Sequence, residues 1–354
     1  MNRLFVNMTK IILTMAMVIS ICACQKQEEP IPEDIPSDPI PVEPEPEQER
    51  ISVKAVDEGE IVFYSHEGYY RYGPSIMEYE DGSYDVWFSA PGNSSTQWDW
   101  ITYRHSDDGV NWSEEQTVLK PTPGSKDQCS VCDPAVIRFG GYYYLAYTGT
   151  WDYEREGMNN SLFVARSEYP DGPFEKWNGE GWGGDPEPII EYTGDPEGWG
   201  IGEPSFVIRG DDLSIYYSYI DLNWNDIRLY KADLSEDWPS TLRYKTRVLS
   251  RVSIDSLDVV YDEKLDTFLG FSINYRMSEV SKLAMYMSGS GKEFDLIDTT
   301  DEYIESFAHN MGIAKSPEGH INSDNEILIG YAYGEDWGRW NTRFQKIRII
   351  KQAE

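Results

Sequence analysis

From about residue 51 onward the chain is a succession of short apolar runs rich in Tyr, Val, Ile, Phe and Trp, cut by Gly, Asp, Asn and Pro. No long stretch carries a helical period. Runs of this length and composition between turn formers read as β-strands, so the pattern predicts an all-β fold.

The runs recur in a fixed order. An inner strand opens with a small or acidic residue, usually followed by Pro, and an aromatic strand follows across a Gly/Asp turn. The five openings are Gly73-Pro74-Ser75-Ile76, Asp133-Pro134-Ala135-Val136, Glu203-Pro204-Ser205-Phe206, Asp258-Val259-Val260 and Asn310-Met311-Gly312-Ile313. A third strand follows in most copies and ends in an outer turn at Trp112, Trp177, Trp238 or Phe294. The openings step by 60, 70, 55 and 52 residues. A period of this size with four strands per unit marks a β-propeller. The prediction is a five-bladed β-propeller over residues 51–354. The run Ile61 to Tyr64 precedes the first copy and is placed to pair with the last blade, closing the ring and removing an exposed edge. A β-sandwich or jelly roll is the competing architecture; a seven-bladed ring needs two more repeats than the chain has room for.

Composition narrows the function. There are 62 acidic against 30 basic residues, for a formal net charge of −32. Phosphate backbones require a basic surface, so no nucleic-acid partner is expected, and anionic lipid is not held by charge. Only nine of the acids fall in residues 25–50, so the acidity belongs to the propeller and suits a neutral or cationic ligand; solubility alone accounts for much of it.

The first 24 residues read as an export signal, with Arg3 and Lys10 as the only charges and an apolar run from Ile11 to Ile21. Ile21-Cys22-Ala23-Cys24 resembles a bacterial lipobox, with Cys24 as the lipidated residue; ordinary secretion is the alternative. Residues 25–50 hold seven Pro and nine acids and read as an extended disordered linker. The membrane is expected to be a partner through the lipid anchor only, on the outward side of a bacterial cell envelope, and the chain is expected to be a monomer.

In a propeller the starts of the innermost strands surround the axis, so Asp133, Glu203 and Asp258 are expected to converge with Gly73 and Asn310. Paired carboxylates are the usual means of cleaving glycosidic bonds: one protonates the leaving oxygen, and the other activates water or attacks the sugar. Mutual repulsion raises one pKa and keeps an acid protonated near neutral pH. Carboxylates beside Pro that merely cap backbone N–H groups are the alternative for Asp133 and Glu203.

The Asp133-Pro134-Ala135-Val136 motif followed by Gly141-Tyr142-Tyr143-Tyr144-Leu145 resembles the five-bladed propeller glycosidases of glycoside hydrolase family 43 and its relatives. So does Gly202-Glu203-Pro204-Ser205 followed by Ile215-Tyr216-Tyr217-Ser218, and the outer turn Ser106-Asp107-Asp108-Gly109 with Trp112 fits as well. The resemblance covers roughly residues 60–350. It implies hydrolysis of arabinose-, xylose- or other furanoside-type glycans, with Glu203 as general acid and Asp133 as a tuning or positioning carboxylate. The family's base opens the first blade before Pro, where this chain has Gly73; Asp258, Asp99 or Asp221 are candidate replacements. A central His in that family helps hold calcium or water, which points to His309. No cofactor is expected otherwise, and one His is a weak metal signal.

Loop tryptophans Trp98, Trp151 and Trp224 are candidates for stacking on the apolar faces of sugars, whereas Trp87, Trp112, Trp177 and Trp238 are expected to pack between blades. Arg71 is a candidate for binding sugar hydroxyls or for an inter-blade ion pair. Cys129 and Cys132 form a lone C-x-x-C, read as a local disulfide or two free thiols. The expected function is a surface-anchored glycosidase. A non-catalytic glycan-binding lipoprotein is the alternative, favoured by Gly73, and a protein-binding scaffold is a third.

Overall fold

The computed structural model describes residues 50–63, 70–155, 157–250, 254 and 256–352. Residues 1–49, on which the expected export signal, lipidated Cys24 and linker fall, and Tyr64 lie outside them. The described chain begins with β1 (Arg50–Ala55) and β2 (Glu60–Phe63). The first blade then runs outward from the axis as β3 (Tyr72–Glu78), β4 (Tyr84–Ser94), β5 (Gln97–Ser106) and β6 (Gln116–Leu119). The second is β7 (Ser130–Phe139), β8 (Tyr142–Thr150), β9 (Ser161–Ser167) and β10 (Glu175–Lys176). The third is β11 (Gly200–Arg209), β12 (Asp212–Ile220), β13 (Asn225–Asp233) and β14 (Arg243–Ser250). The fourth is β15 (Asp258–Asp262), β16 (Thr267–Asn274), β17 (Lys282–Ser288) and β18 (Asp295–Thr300). The fifth begins with β19 (Ala308–Ile313) and, after the short β20 (His320–Ile321) that pairs back onto β15, continues with β21 (Ile327–Tyr333) and β22 (Asn341–Gln352).

These five sheets form the predicted five-bladed propeller, and the sandwich and seven-bladed alternatives fall. Ring closure is also as expected, with Ile61 opposite Arg343 on the last strand. Closure is more extensive than the hydrophobic pattern suggests, because β1 pairs along β22 as well, from Arg50 opposite Gln352 to Ala55 opposite Ile347.

The blades hold together through apolar side chains on both faces of each sheet. Trp87 and Trp238 are fully buried and Trp177 nearly so; Trp112 meets Phe344 of the fifth blade edge-on with ring centroids 5.3 Å apart. All four inter-blade tryptophans are where the sequence puts them. Burying such a ring contributes a few kcal/mol. Where the last inner strand meets the first there is no room for a side chain. A Cβ at Gly312 of β19 would stand 1.8 Å from the carbonyl oxygen of Pro74 in β3, so glycine is what lets the last inner strand approach the first.

Candidate active site

Four of the five inner strands begin with the same distortion. The register shifts between Tyr72 and Ser75, Cys132 and Ala135, Gly202 and Ser205, and His309 and Met311. Within each bulge one residue takes a left-handed backbone: Gly73 (φ 60°), Asp133 (φ 48°), Glu203 (φ 48°) and Asn310 (φ 42°). Such a φ is unusual for a residue with a side chain, and bulges re-aim side chains beside functional sites. The freed backbone N–H groups are satisfied by the preceding blade: Asp133 N–H donates to Ser89 Oγ (2.8 Å) and Glu203 N–H to Thr148 Oγ1 (3.1 Å). The fourth inner strand pairs with β16 without a bulge, and Asp258 opens it in regular register with Phe271.

These residues line one pocket with Pro74, Pro134, Pro204 and Lys315. Its carboxylates, among the described residues, are Asp133, Glu203 and Asp258. They are not equivalent. Asp258 Oδ1 is 2.5 Å from Lys315 Nζ and accepts from Ser205 Oγ (2.7 Å), and its Oδ2 accepts from the Ile313 backbone N–H (2.9 Å). Lys315 is itself buried, so this carboxylate is committed to a buried ion pair that ties three blades.

Glu203 is held by two donors. Asn310 Nδ2 donates to Oε1 at 2.6 Å, and Ser218 Oγ lies 3.1 Å from Oε2. Asp133 is buried, and the Cys132 thiol donates to its Oδ2 at 3.3 Å. Burial first, then the charges of Asp133 and Asp99, push the Cys132 thiol well up, so it stays protonated and a donor. Cys129 is raised to about 12 by burial. Both cysteines are free thiols, which settles the disulfide alternative. A Cβ at position 73 would sit 3.3 Å from Asp133 Oδ1, so the bare glycine leaves that space to the Asp133 carboxylate.

The remaining candidates are dispersed. Asp99 accepts from Tyr70 OH (2.5 Å) and Ser130 Oγ (2.7 Å) between the first two blades, and burial outweighs these bonds to raise its pKa. Asp221 caps the rim turn by accepting from the Leu222 N–H (2.7 Å). Arg71 forks onto Glu115 (2.8 and 2.9 Å) and reaches the Tyr70 carbonyl, so it forms an ion pair, but one within the first blade rather than between blades. His309 does not face the pocket: it is fully buried and packs edge-on against Trp340 at 4.5 Å. Burial and the nearby positive Arg276 hold its imidazole neutral, lowering its pKa to about 3. A calcium ion does not fit there, since Nδ1 is taken by Asn310 and Arg276 repels a cation; no cluster of three metal-ligating side chains exists among the described residues.

The turn that joins the second and third strands of a blade lies at the pocket end, as the pairing of Gly200 with Ile220 and of Ile220 with Asn225 shows. Trp151 (49% exposed), Trp224 (39%) and Trp337 (81%) stand in such turns, together with Tyr153 and Tyr275. Trp224 stacks on Tyr219 with planes 13° apart. Trp98 meets Tyr153 edge-on at 6.1 Å. The pocket-end turns of several blades thus carry aromatic side chains, although none of them is among the residues that line the pocket itself.

The sequence reading leaves out Asn310, Ser218 and Lys315 as site residues. Asn310 is expected at the axis as the opening of the fifth inner strand, with no role given to it. A lysine after Ile313-Ala314 in an apolar strand was the one available sign of a buried cation.

The class defined by this fold is the five-bladed β-propeller with a carboxylate-lined axial pocket, and several solved structures of similar fold are glycoside hydrolases. A family 117 glycoside hydrolase of the marine bacterium Zobellia galactanivorans matches with a TM-score of 0.60 at 16% identity, over 85% of this chain and 90% of that one. An α-L-arabinofuranosidase of Podospora anserina, solved with cellotriose, matches with a TM-score of 0.57 at 13% identity, over 85% and 96%. An endo-arabinase of Bacteroides thetaiotaomicron matches at 0.53 and 14%, over 82% and 99%. The sequence matches no protein-family model and no curated protein.

Proposed function

We propose that the protein is a glycoside hydrolase acting on oligo- or polysaccharide, with arabinose, xylose or other furanoside-type units as the substrate class. The observation that carries this reading is the delivery of Asp133 and Glu203, from different blades, into one pocket by matching left-handed bulges. Glu203 is the general acid that protonates the leaving oxygen. Gly73 is bare and Asp258 is neutralised by Lys315, so Asp133 is the pocket carboxylate left to activate or position water. The fold likeness and the titles of the similar structures support the class; the sugar is carried by the sequence resemblance.

The test is release of reducing sugar by residues 47–354 from arabinan, xylan, fructan and aryl-glycoside panels. Saturable sugar binding without release from any of them is the outcome expected of the non-catalytic alternative, which Gly73 favours. Trp151→Ala and Trp224→Ala are expected to raise KM for an oligosaccharide several-fold with kcat little changed, because rim stacking binds ground and transition states alike; an unchanged KM for both removes the rim from the binding surface. The cellular setting is part of the proposal: Cys24 carries a lipid that anchors the domain outside the cell. Release of a Cys24→Ala chain from the membrane fraction is the expected result, and retention counts against the anchor.

A further inference from the structure

Asn310 and His309 are adjacent in sequence, yet they stand one behind the other relative to the pocket. The bulge between His309 and Met311 causes this. Asn310, in the left-handed position, lines the pocket and reaches Glu203 Oε1 with its Nδ2 (2.6 Å). Its other end, Oδ1, lies 2.6 Å from His309 Nδ1. The His309 ring is fully buried, and its Nε2 has no hydrogen-bond partner among the described residues.

We propose that His309 and Asn310 are a positioning pair: the buried imidazole fixes which end of the Asn310 amide faces Glu203, so that Oε1 is always an acceptor and the transferable proton resides on Oε2 beside Ser218. This rests on the reading of Glu203 as an acid and deepens it. The reasoning follows from donor and acceptor capacity. A neutral imidazole carries one N–H. With Asn310 Oδ1 facing it at 2.6 Å, that N–H is on Nδ1. A turned amide would need the proton on Nε2 instead, where a buried N–H would have no acceptor among the described residues, so the amide stays as it is. Its NH₂ end therefore points at Glu203 Oε1 permanently. An oxygen that receives an N–H is a poor place for a proton, whereas the Ser218 hydroxyl accepts from a protonated Oε2 as readily as it donates to a charged one. Burial and Arg276 keep the imidazole neutral across the working pH range, so the orientation does not switch. His309 acts here without touching substrate.

The test reads the titration of Glu203 itself. In protein labelled with ¹³C-glutamate, the Glu203 carboxyl signal is assigned by its loss in Glu203→Gln and followed with pH. Removing the amide in Asn310→Gly, which suits the left-handed backbone, withdraws a donor that favours the carboxylate. The midpoint is expected to rise by about one pH unit. Asn310→Asp keeps the shape but presents an oxygen to Oε1, and its rise should be larger. His309→Phe keeps a ring against Trp340 and drops only the N–H. Its midpoint should also rise, and adding it to Asn310→Gly should add nothing, because His309 works only through Asn310. Where the enzyme turns over, the basic limb of its kcat/KM profile moves up with the midpoint. An unchanged midpoint in both Asn310 variants overturns the proposal, as does a His309→Phe effect of equal size with and without Asn310. If the wild type hydrolyses nothing, the acid role of Glu203 fails, but the NMR midpoints still decide whether the pair orients its carboxyl.

Discussion

Glu203→Gln should lower kcat/KM on a natural oligosaccharide by about 10²–10⁴-fold, the range over which a positioned acid contributes, and by far less on a nitrophenyl glycoside. A nitrophenolate leaves without a proton, whereas a sugar alkoxide does not. The contrast between substrates therefore identifies the acid role, which a general loss of activity would not. The fold should survive: Glu203 is only partly buried, and glutamine offers an oxygen to Asn310 and an NH₂ to Ser218 in place of the contacts seen at Oε1 and Oε2. Parallel kinetics on both substrates with an unchanged melting curve give the answer. An equal loss on both would transfer the acid role to another residue and leave Glu203 as nucleophile or base.

The largest effect on stability is expected at Lys315. Its ammonium is buried against Asp258 Oδ1 at 2.5 Å, with Ser205 Oγ at 3.2 Å. Removing one partner of such a pair leaves the other as an uncompensated buried charge, at a cost of about 3–5 kcal/mol. Lys315→Met should therefore lower Tm by roughly 6–20 °C, taking ~2–4 °C per kcal/mol for a domain of this size. Asp258→Asn should cost a comparable amount, because it strands the ammonium. The double variant should recover much of the loss, since an uncharged pair is often tolerated. The same variants assign Asp258. Hydrolysis per folded molecule should persist in the double variant at temperatures below its Tm. If activity disappears there while the fold remains, Asp258 is the missing base after all.

The architecture was largely legible in the sequence because a repeat announces itself. Each inner strand opens with its own signature, and the turns Glu80-Asp81-Gly82 and Gly140-Gly141 fall between paired strands as read. The axial acids followed from the same repeat. The partners of those acids did not. Asn310 bonds to a residue 107 positions away, and Lys315 pairs with one 57 positions away; both contacts exist only once the ring is closed. The family resemblance points to His309, and the chemistry of its guanidinium makes Arg71 a candidate for sugar hydroxyls, but neither lines the pocket. The bulge at Gly73 leaves Arg71 to its pairing with Glu115, and the bulge at Asn310 buries His309 behind its neighbour.

The seam between β1 and β22 also governs how the polypeptide is made. Arg50 finds its partner at Gln352 and Ala55 at Ile347, so the first folded segment waits for the last dozen residues to be synthesised. Contacts of such sequence separation demand a large loss of chain freedom before they return anything, and they slow folding. Until residues 347–352 are made, the wheel stays unsealed along β1. β22 is thus a clasp, and removing its residues from Ile347 onward would take every partner from β1 while leaving all of its pairing with β2 and nearly all of that with β21.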